Sequence, residues 1–365
     1  MRQFSSLLNG LARSLTVGGE RKNGGDDAGR EAAESLAKEA KKKDLILCSS
    51  GSVRGDGSKS FVSVFSQRGK KGVNQDCSVV WQEFGFQEDM IFCGVFDGHG
   101  PWGHFVARRV RESLPSSLLC SWQETLALTS LDSDFDLESD KKVQRFDVWK
   151  QSYLRTCAVI DKELEEHRGF DSFYSGTTAL TVVKQGELIV IANVGDSRAV
   201  LGTTSDDGSL VPVQLTVDFK PSLPQEAERI RQCKGRVFSL HDEPGVHRVW
   251  LPDGETPGLA MSRSFGDYCV KDFGLISVPE VTQRHITNRD QFIILATDGV
   301  WDVISNQEAV EIVSSTPERE KSAKRLVECA ARAWKHKRRG IAMDDCTAIC
   351  LFFHCSSPSQ DVQPL

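Results

Sequence analysis

The chain has 365 residues, 39% of them hydrophobic, which is enough to bury the core of one large domain or two ordinary ones, and one is favoured. Its net charge of -6 gives no overall footprint for nucleic acid or an anionic membrane. Eleven cysteines, an odd number with no CxxC pair and no secretory signal, exclude a disulfide scaffold and point to a reducing compartment, and no apolar run reaches the roughly 18 residues of a membrane-spanning helix.

Residues 1–19 contain Arg2 and Arg13 but no acid, and Phe4, Leu7, Leu8, Leu11 and Leu15 recur at helical spacing. A disordered leader, a surface-lying amphipathic helix and an organelle transit peptide all fit that pattern. Arg2 stands where N-myristoylation requires glycine. A polar linker follows, with a helix expected from about Arg30 to Lys43. Residues 1–60 are thus expected to be leader and linker, residues 61–354 the folded domain, and residues 355–365 a disordered tail.

Strands are expected at Cys77 to Phe84 and Ile91 to Phe96, then helices at about Gly103 to Leu114 and Phe146 to His167. Between the helices, Asp132, Asp134, Asp136, Glu138 and Asp140 read as a solvated acidic loop. The β-branched segments Thr178 to Val183, Leu188 to Val194, Ala199 to Gly202 and Val211 to Leu215 suggest a meander. The stretch from Asp218 to Gly258 has few periodic elements and reads as a lid. A strand at Phe292 to Thr297, helices at about Gln307 to Ser314 and Glu318 to Trp334, and a strand at Thr347 to Phe353 complete the domain.

The informative pattern is an apolar strand that ends in Asp-Gly. It occurs where Ile91 to Phe96 meets Asp97, Gly98 and His99, and again where Phe292 to Thr297 meets Asp298 and Gly299. A strand anchors the carboxylate, and glycine lets the backbone turn so that a nearby carbonyl faces the same point. Asp344 and Asp345 precede the last strand, and Asp196 follows another. One Asp-Gly is an ordinary turn; four strand-end acids suggest convergence. Converging carboxylates repel by a few kcal/mol per pair at an effective dielectric of about 20, and a divalent ion removes that cost. Oxygen donors without clustered His or thiolate favour magnesium or manganese. Two such ions sharing an aspartate and a water would make a nucleophile near neutral pH.

VFDGHG at Val95 to Gly100, SGTTA at Ser175 to Ala179, VGDSRA at Val194 to Ala199, LAMSRSFGD at Leu259 to Asp267, ATDGVWD at Ala296 to Asp302 and MDDCTA at Met343 to Ala348 form an ordered set. That set resembles the motifs of type 2C metal-dependent protein serine/threonine phosphatases, especially plant members, over roughly Phe61 to Phe353. The resemblance implies an α+β fold, a four-layer α-β-β-α sandwich of two antiparallel sheets flanked by helices. It also implies hydrolysis of phosphoserine and phosphothreonine in proteins. By position, Asp97 resembles the ligand bridging two magnesium or manganese ions, and the Gly98 carbonyl a ligand of one of them. Asp298 and Asp344 resemble ligands of the other, and Asp76 an acid acting through water. Asp196 and Asp302, with Asp298, match acids that hold a weaker third ion. His99 resembles the group that protonates the departing oxygen, and Lys71 stands where the family commonly has a phosphate-binding arginine.

Lysine at that place supplies a point charge where arginine would grip two oxygens. Gln75 replaces a frequent glutamate, and Phe219 a frequent histidine. Arg236, His241, His247, Arg248 and Trp250 of the lid are candidate phosphoprotein contacts. Direct hydrolysis is implied, with no phosphoenzyme, and the cysteines read as packing residues. The expected partners are phosphorylated proteins, not nucleic acid, and the chain is expected to be a cytoplasmic or nuclear monomer. Two alternatives share the pattern: a binding module on the same fold, prompted by Lys71 and Gln75, and a two-metal nuclease or small-molecule phosphohydrolase.

Overall fold

A computed structural model describes residues 24–54, 60–131 and 138–354. Residues 1–23, which include the stretch expected as a leader, the acids Asp132, Asp134 and Asp136, and the residues beyond His354 lie outside the described residues.

Two six-stranded antiparallel sheets form the centre. The first runs, edge to edge, Ile46–Leu47, Cys77–Gln82, Met90–Phe96, Ala179–Gln185, Leu188–Val194 and Glu280–His285. The second runs Leu210–Gln214, Arg198–Thr204, Asp290–Ala296, Cys346–Phe352, Phe61–Gln67 and Gly51–Arg54. Helices Gly24–Lys42, Gly103–Leu131 and Glu138–Glu165 cover the first sheet, and Asn306–Ser314 and Ser322–Lys337 cover the second. The chain is therefore the four-layer α-β-β-α sandwich that the motifs implied.

Strand alternation explains the layers. In Met90–Phe96, Met90, Phe92 and Phe96 face the helices, whereas Ile91, Cys93 and Val95 face the opposite sheet. In Asp290–Ala296, Phe292, Ile294 and Ala296 face helices, while Ile293 and Leu295 join the layer between the sheets. Successive side chains point to opposite faces, and both faces are covered, so these strands read as unbroken apolar runs. The outer cores are aromatic: Trp122 stacks on Trp149 at 4.9 Å, and Trp81 meets Phe84 edge-on at 5.1 Å.

Several elements differ from expectation. Before Phe61 the helix expected from about Arg30 to Lys43 is present as Gly24–Lys42, packed through Leu36, Ala37 and buried Ala40, but the segment also supplies an unexpected edge strand to each sheet. The helix from Gly103 continues through Pro115 to Leu131, since Leu118, Leu119 and Trp122 keep its buried face apolar beyond that proline. The next helix begins at Glu138 rather than near Phe146. The expected meander is two hairpins in different sheets, joined by a crossover at residues 195–197. The lid holds a helix, Pro224–Gln232, and a small sheet of Arg236–Phe238, Arg248–Trp250 and Pro257–Leu259. Glu280–His285 is an edge strand whose polar sequence gave no strand signal. All ten described cysteines are free thiols, and no helix among the described residues is long and apolar enough to cross a membrane.

Candidate active site

A cleft of about 990 Å³ opens at one end of the sandwich, lined by Lys71, Asp97, Gly98, His99, Asp298, Asp302 and Asp344 together with lid residues. Asp97 leaves the first sheet at the end of Met90–Phe96, and its backbone is clamped by Thr178, whose hydroxyl accepts from Asp97 N–H at 3.0 Å. Asp298 opens a short helix directly after Asp290–Ala296 of the second sheet. Asp344 precedes Cys346–Phe352, and Asp196 sits in the crossover between sheets. Acids from both sheets thus meet at the seam.

Two glycines make the approach possible. A Cβ on Gly98 would stand 2.5 Å from Gly103 O and 2.7 Å from Gln75 O, and one on Gly299 would stand 1.8 Å from Asp345 O. Each Asp-Gly is thus a point where another backbone comes too close for any side chain. Asp345, the neighbour of Asp344, fixes this geometry by accepting from Gly69 N–H at 2.7 Å and Gln75 N–H at 2.8 Å.

The acids repel one another. Burial first, then Asp76, Asp298 and Asp344, holds the Asp97 carboxyl well above the ordinary aspartate range. Burial and the charges of Asp196 and Asp344 push Asp298 up to about 7. Asp76 is raised by burial although Thr297 Oγ1 donates to it at 2.8 Å, and Asp302 is raised by burial as well. The second oxygens of buried Asp76 and Asp196 have no hydrogen-bond partner. Two lysines offset part of the charge: Lys71 ion-pairs with Asp344, and Lys220 ion-pairs with Asp196. Their ammonium pKa values are raised, because the acids outweigh the effect of burial.

No three His, Cys, Asp or Glu side chains among the described residues stand at metal-ligand spacing. The donors nonetheless fit hard divalent ions: they are all oxygen, mutually repelling, and include unsatisfied buried oxygens. Asp97, Asp298 and Asp344 with the Gly98 carbonyl are the residues present to hold a pair, with Asp76 behind them and Asp196 and Asp302 to one side.

His99 is oriented by a residue the sequence did not flag. Its Nε2 lies 2.7 Å from Asp267 Oδ2, which also accepts from Ser264 Oγ at 2.6 Å, while Nδ1 is buried without a partner. Burial alone would lower the imidazole pKa, but the charge and hydrogen bond of Asp267 raise it above its usual value. Asp267 and Lys220 stand outside regular strands and helices, so no periodicity marks them, although LAMSRSFGD ends on Asp267 and Lys220 follows Phe219.

The departures from the motif pattern have structural roles. Gln75 Nε2 donates to Gly100 O at 2.9 Å, a bond that glutamate could not make, so the amide steadies the turn carrying His99. Phe219 is buried beneath the Arg263 guanidinium, 3.7 Å from its ring centre. Within the lid, Arg236 donates to Leu251 O, Arg248 pairs with Glu243, and Trp250 stacks on Phe238 and donates to Phe238 O, so these side chains build the lid itself. His247 and Arg248 line the cleft, whereas His241 does not. One Cys-x5-Arg spacing occurs, from Cys48 to Arg54, but Cys48 is exposed between edge strands and outside the cleft lining.

The sandwich matches the crystal structure of a serine-threonine phosphatase 2C from Toxoplasma gondii with a TM-score of 0.72 at 28% identity, covering 84% of this chain and 99% of that one. Fold and cleft together define a protein serine/threonine phosphatase. The family model "Protein phosphatase 2C" matches residues 77–338, and the chain belongs to that family. It is 68% identical over 358 residues to "Probable protein phosphatase 2C 73" of Arabidopsis thaliana, covering 98% of this chain and 96% of that protein. It is also 61% identical over 364 residues to "Probable protein phosphatase 2C 48" of Oryza sativa subsp. japonica, covering 98% and 100%.

Proposed function

We propose that this phosphatase hydrolyses phosphoserine and phosphothreonine in proteins at a centre of two magnesium or manganese ions, with a weaker third ion and no phosphoenzyme. The observation that carries this reading is the crowding of Asp76, Asp97 and Asp298, whose carboxyl pKa values are raised first by burial and then by neighbouring carboxylates, both of which a divalent cation would offset. Asp97, the Gly98 carbonyl, Asp298 and Asp344 hold the pair, Asp76 acts through water, and Asp196 and Asp302 serve the third site. When bound, the ions supply a water acidified toward neutral pH and offset the charge of the phosphoryl group. Lys71, next to Asp344, places an ammonium where a phosphate oxygen can meet it. Asp267, paired with Nε2, favours the protonated His99 imidazolium, the acid for the departing serine or threonine oxygen.

Residues 61–354 form the catalytic unit in this reading, with residues 218–258 as a flap that governs substrate choice. A cytoplasmic or nuclear monomer fits the free thiols. Hydrolysis of a phosphothreonine peptide, measured with manganese and with excess chelator, tests the reaction. Turnover is expected with manganese alone, and Asp97→Asn or Asp298→Asn is expected to abolish it along with the manganese-induced rise in melting temperature. Wild-type activity in Asp97→Asn would overturn the assignment.

A further inference from the structure

Among the described residues the exposed aromatic side chains are four, Trp102, Phe105, Phe173 and Tyr174, at 41%, 42%, 47% and 53% exposure. All four fall in two short segments joined to each other. Trp102 N–H donates to Ser175 Oγ at 2.9 Å, and a Cβ on Gly100 would stand 2.3 Å from Tyr174 O. The ladder between Gly98–His99 and Gly176–Thr177 completes the join. The backbone that carries His99 therefore also carries this aromatic surface, in fixed register with the catalytic cleft.

The rings form two groups linked by a cavity that Phe170 and Phe173 share. Tyr174 lines the cleft and meets Phe173 edge-on at 4.8 Å. Trp102 and Phe105 lie 5.6 Å apart, and Phe105 stacks on Phe170 at 6.2 Å. The cavity that Phe170 and Phe173 line measures about 310 Å³, and in it the carboxylates of Glu165, Asp171 and Asp272 outnumber Lys271, whose ammonium is paired with Asp161, and the imidazole of His167. An apolar path thus leads from the reacting centre to a negatively charged hollow. Grouped exposed aromatics of this kind mark interaction surfaces.

We propose that Trp102, Phe105, Phe173 and Tyr174 form a docking strip for the phosphoprotein substrate, receiving apolar side chains to one side of the phosphorylated residue and a basic one beyond them. This rests on the phosphatase reading above. The occupant is the substrate because the strip starts inside the cleft, and the acidic rim favours a basic group at its far end.

The test uses fluorescein-labelled peptides with a non-hydrolysable phosphonate analogue of phosphothreonine, one flanked by leucines and arginine and one by serines. Fluorescence anisotropy with the manganese-loaded full chain is expected to show about tenfold tighter binding of the leucine-arginine peptide. Trp102→Ala/Phe105→Ala and, separately, Phe173→Ser are each expected to erase that preference. They should leave the serine peptide, the melting temperature and hydrolysis of p-nitrophenyl phosphate unchanged. Should the helix double variant melt early, Phe173→Ser, which lies in a loop, carries the comparison. Equal affinity of the wild type for both peptides, or equal losses on both in the variants, overturns the proposal. So does a wild-type dimer in sedimentation velocity that Trp102→Ala/Phe105→Ala dissolves, which assigns the strip to a second copy. Failure of the wild type to hydrolyse p-nitrophenyl phosphate counts against the phosphatase reading alone, since the peptide affinities are read without turnover.

Discussion

An aspartate crowded by burial and by other carboxylates keeps its proton to high pH, and Asp298 does so up to about 7. An unfolded aspartate releases its proton near pH 3.9. Between those values the folded chain binds a proton that the unfolded chain has lost, so the metal-free protein loses stability as pH rises from about 4 to about 7. In chelator the melting temperature is expected to fall between pH 5 and 7.5, and to fall less in Asp298→Asn or with manganese present; scanning calorimetry across that range reads both. Asp267→Asn is expected to slow hydrolysis of a phosphothreonine peptide about a hundredfold while sparing p-nitrophenyl phosphate, whose leaving group departs without a proton. Steady-state kinetics on both substrates checks it. That Asp97, Asp298 and Asp344 share one cleft was legible in the sequence because each abuts an apolar strand, a local pattern. The partner of His99 was not legible, because the two residues are 168 positions apart and Asp267 stands in an irregular segment.

The elements show the same division. Strands with both faces buried announce themselves as apolar runs, and Leu188–Val194 has the limits that periodicity gives. Edge strands such as Glu280–His285 do not, since their pairing is made by backbone and their side chains are polar. The lid was illegible for a related reason: its order comes from polar contacts between distant residues. Glu226 binds Arg229 and Arg263 and accepts from Ser262 Oγ at 2.7 Å, tying the lid helix to the segment before Asp267. Burial alone would raise its carboxyl pKa, but Arg263 and Arg229 outweigh it and bring it down to about 2. That stabilisation is complete above the unfolded value near 4.3 and fades as pH falls through about 2. Glu226→Gln is therefore expected to melt below the wild type at pH 7, with the gap closing as pH falls from 5 toward 2. Thermal melts over that range read the difference.

At the scale of the whole molecule, the segment before Phe61 is tied into the sandwich. Ala40 is fully buried in the core formed by the helices and the first sheet, so Ala40→Asp places an unpaired charge there and is expected to cost about 3 kcal/mol, read as a lower urea midpoint. The four-layer architecture followed from the motif order, whereas the allotment of the two hairpins to separate sheets did not, because no local signal says which sheet a strand joins. The packing of two separate sheets also decides how the candidate catalytic centre behaves mechanically. Its acids arrive from opposite jaws, Asp97 from one sheet and Asp298 and Asp344 from the other, and the jaws are held at their spacing by the aliphatic filling of Val95, Leu180, Leu295 and Ile349. If the two-metal proposal holds, the interior hydrocarbon layer is the gauge block of that seat, and trimming it would loosen cation retention from a distance with every proposed ligand left in place.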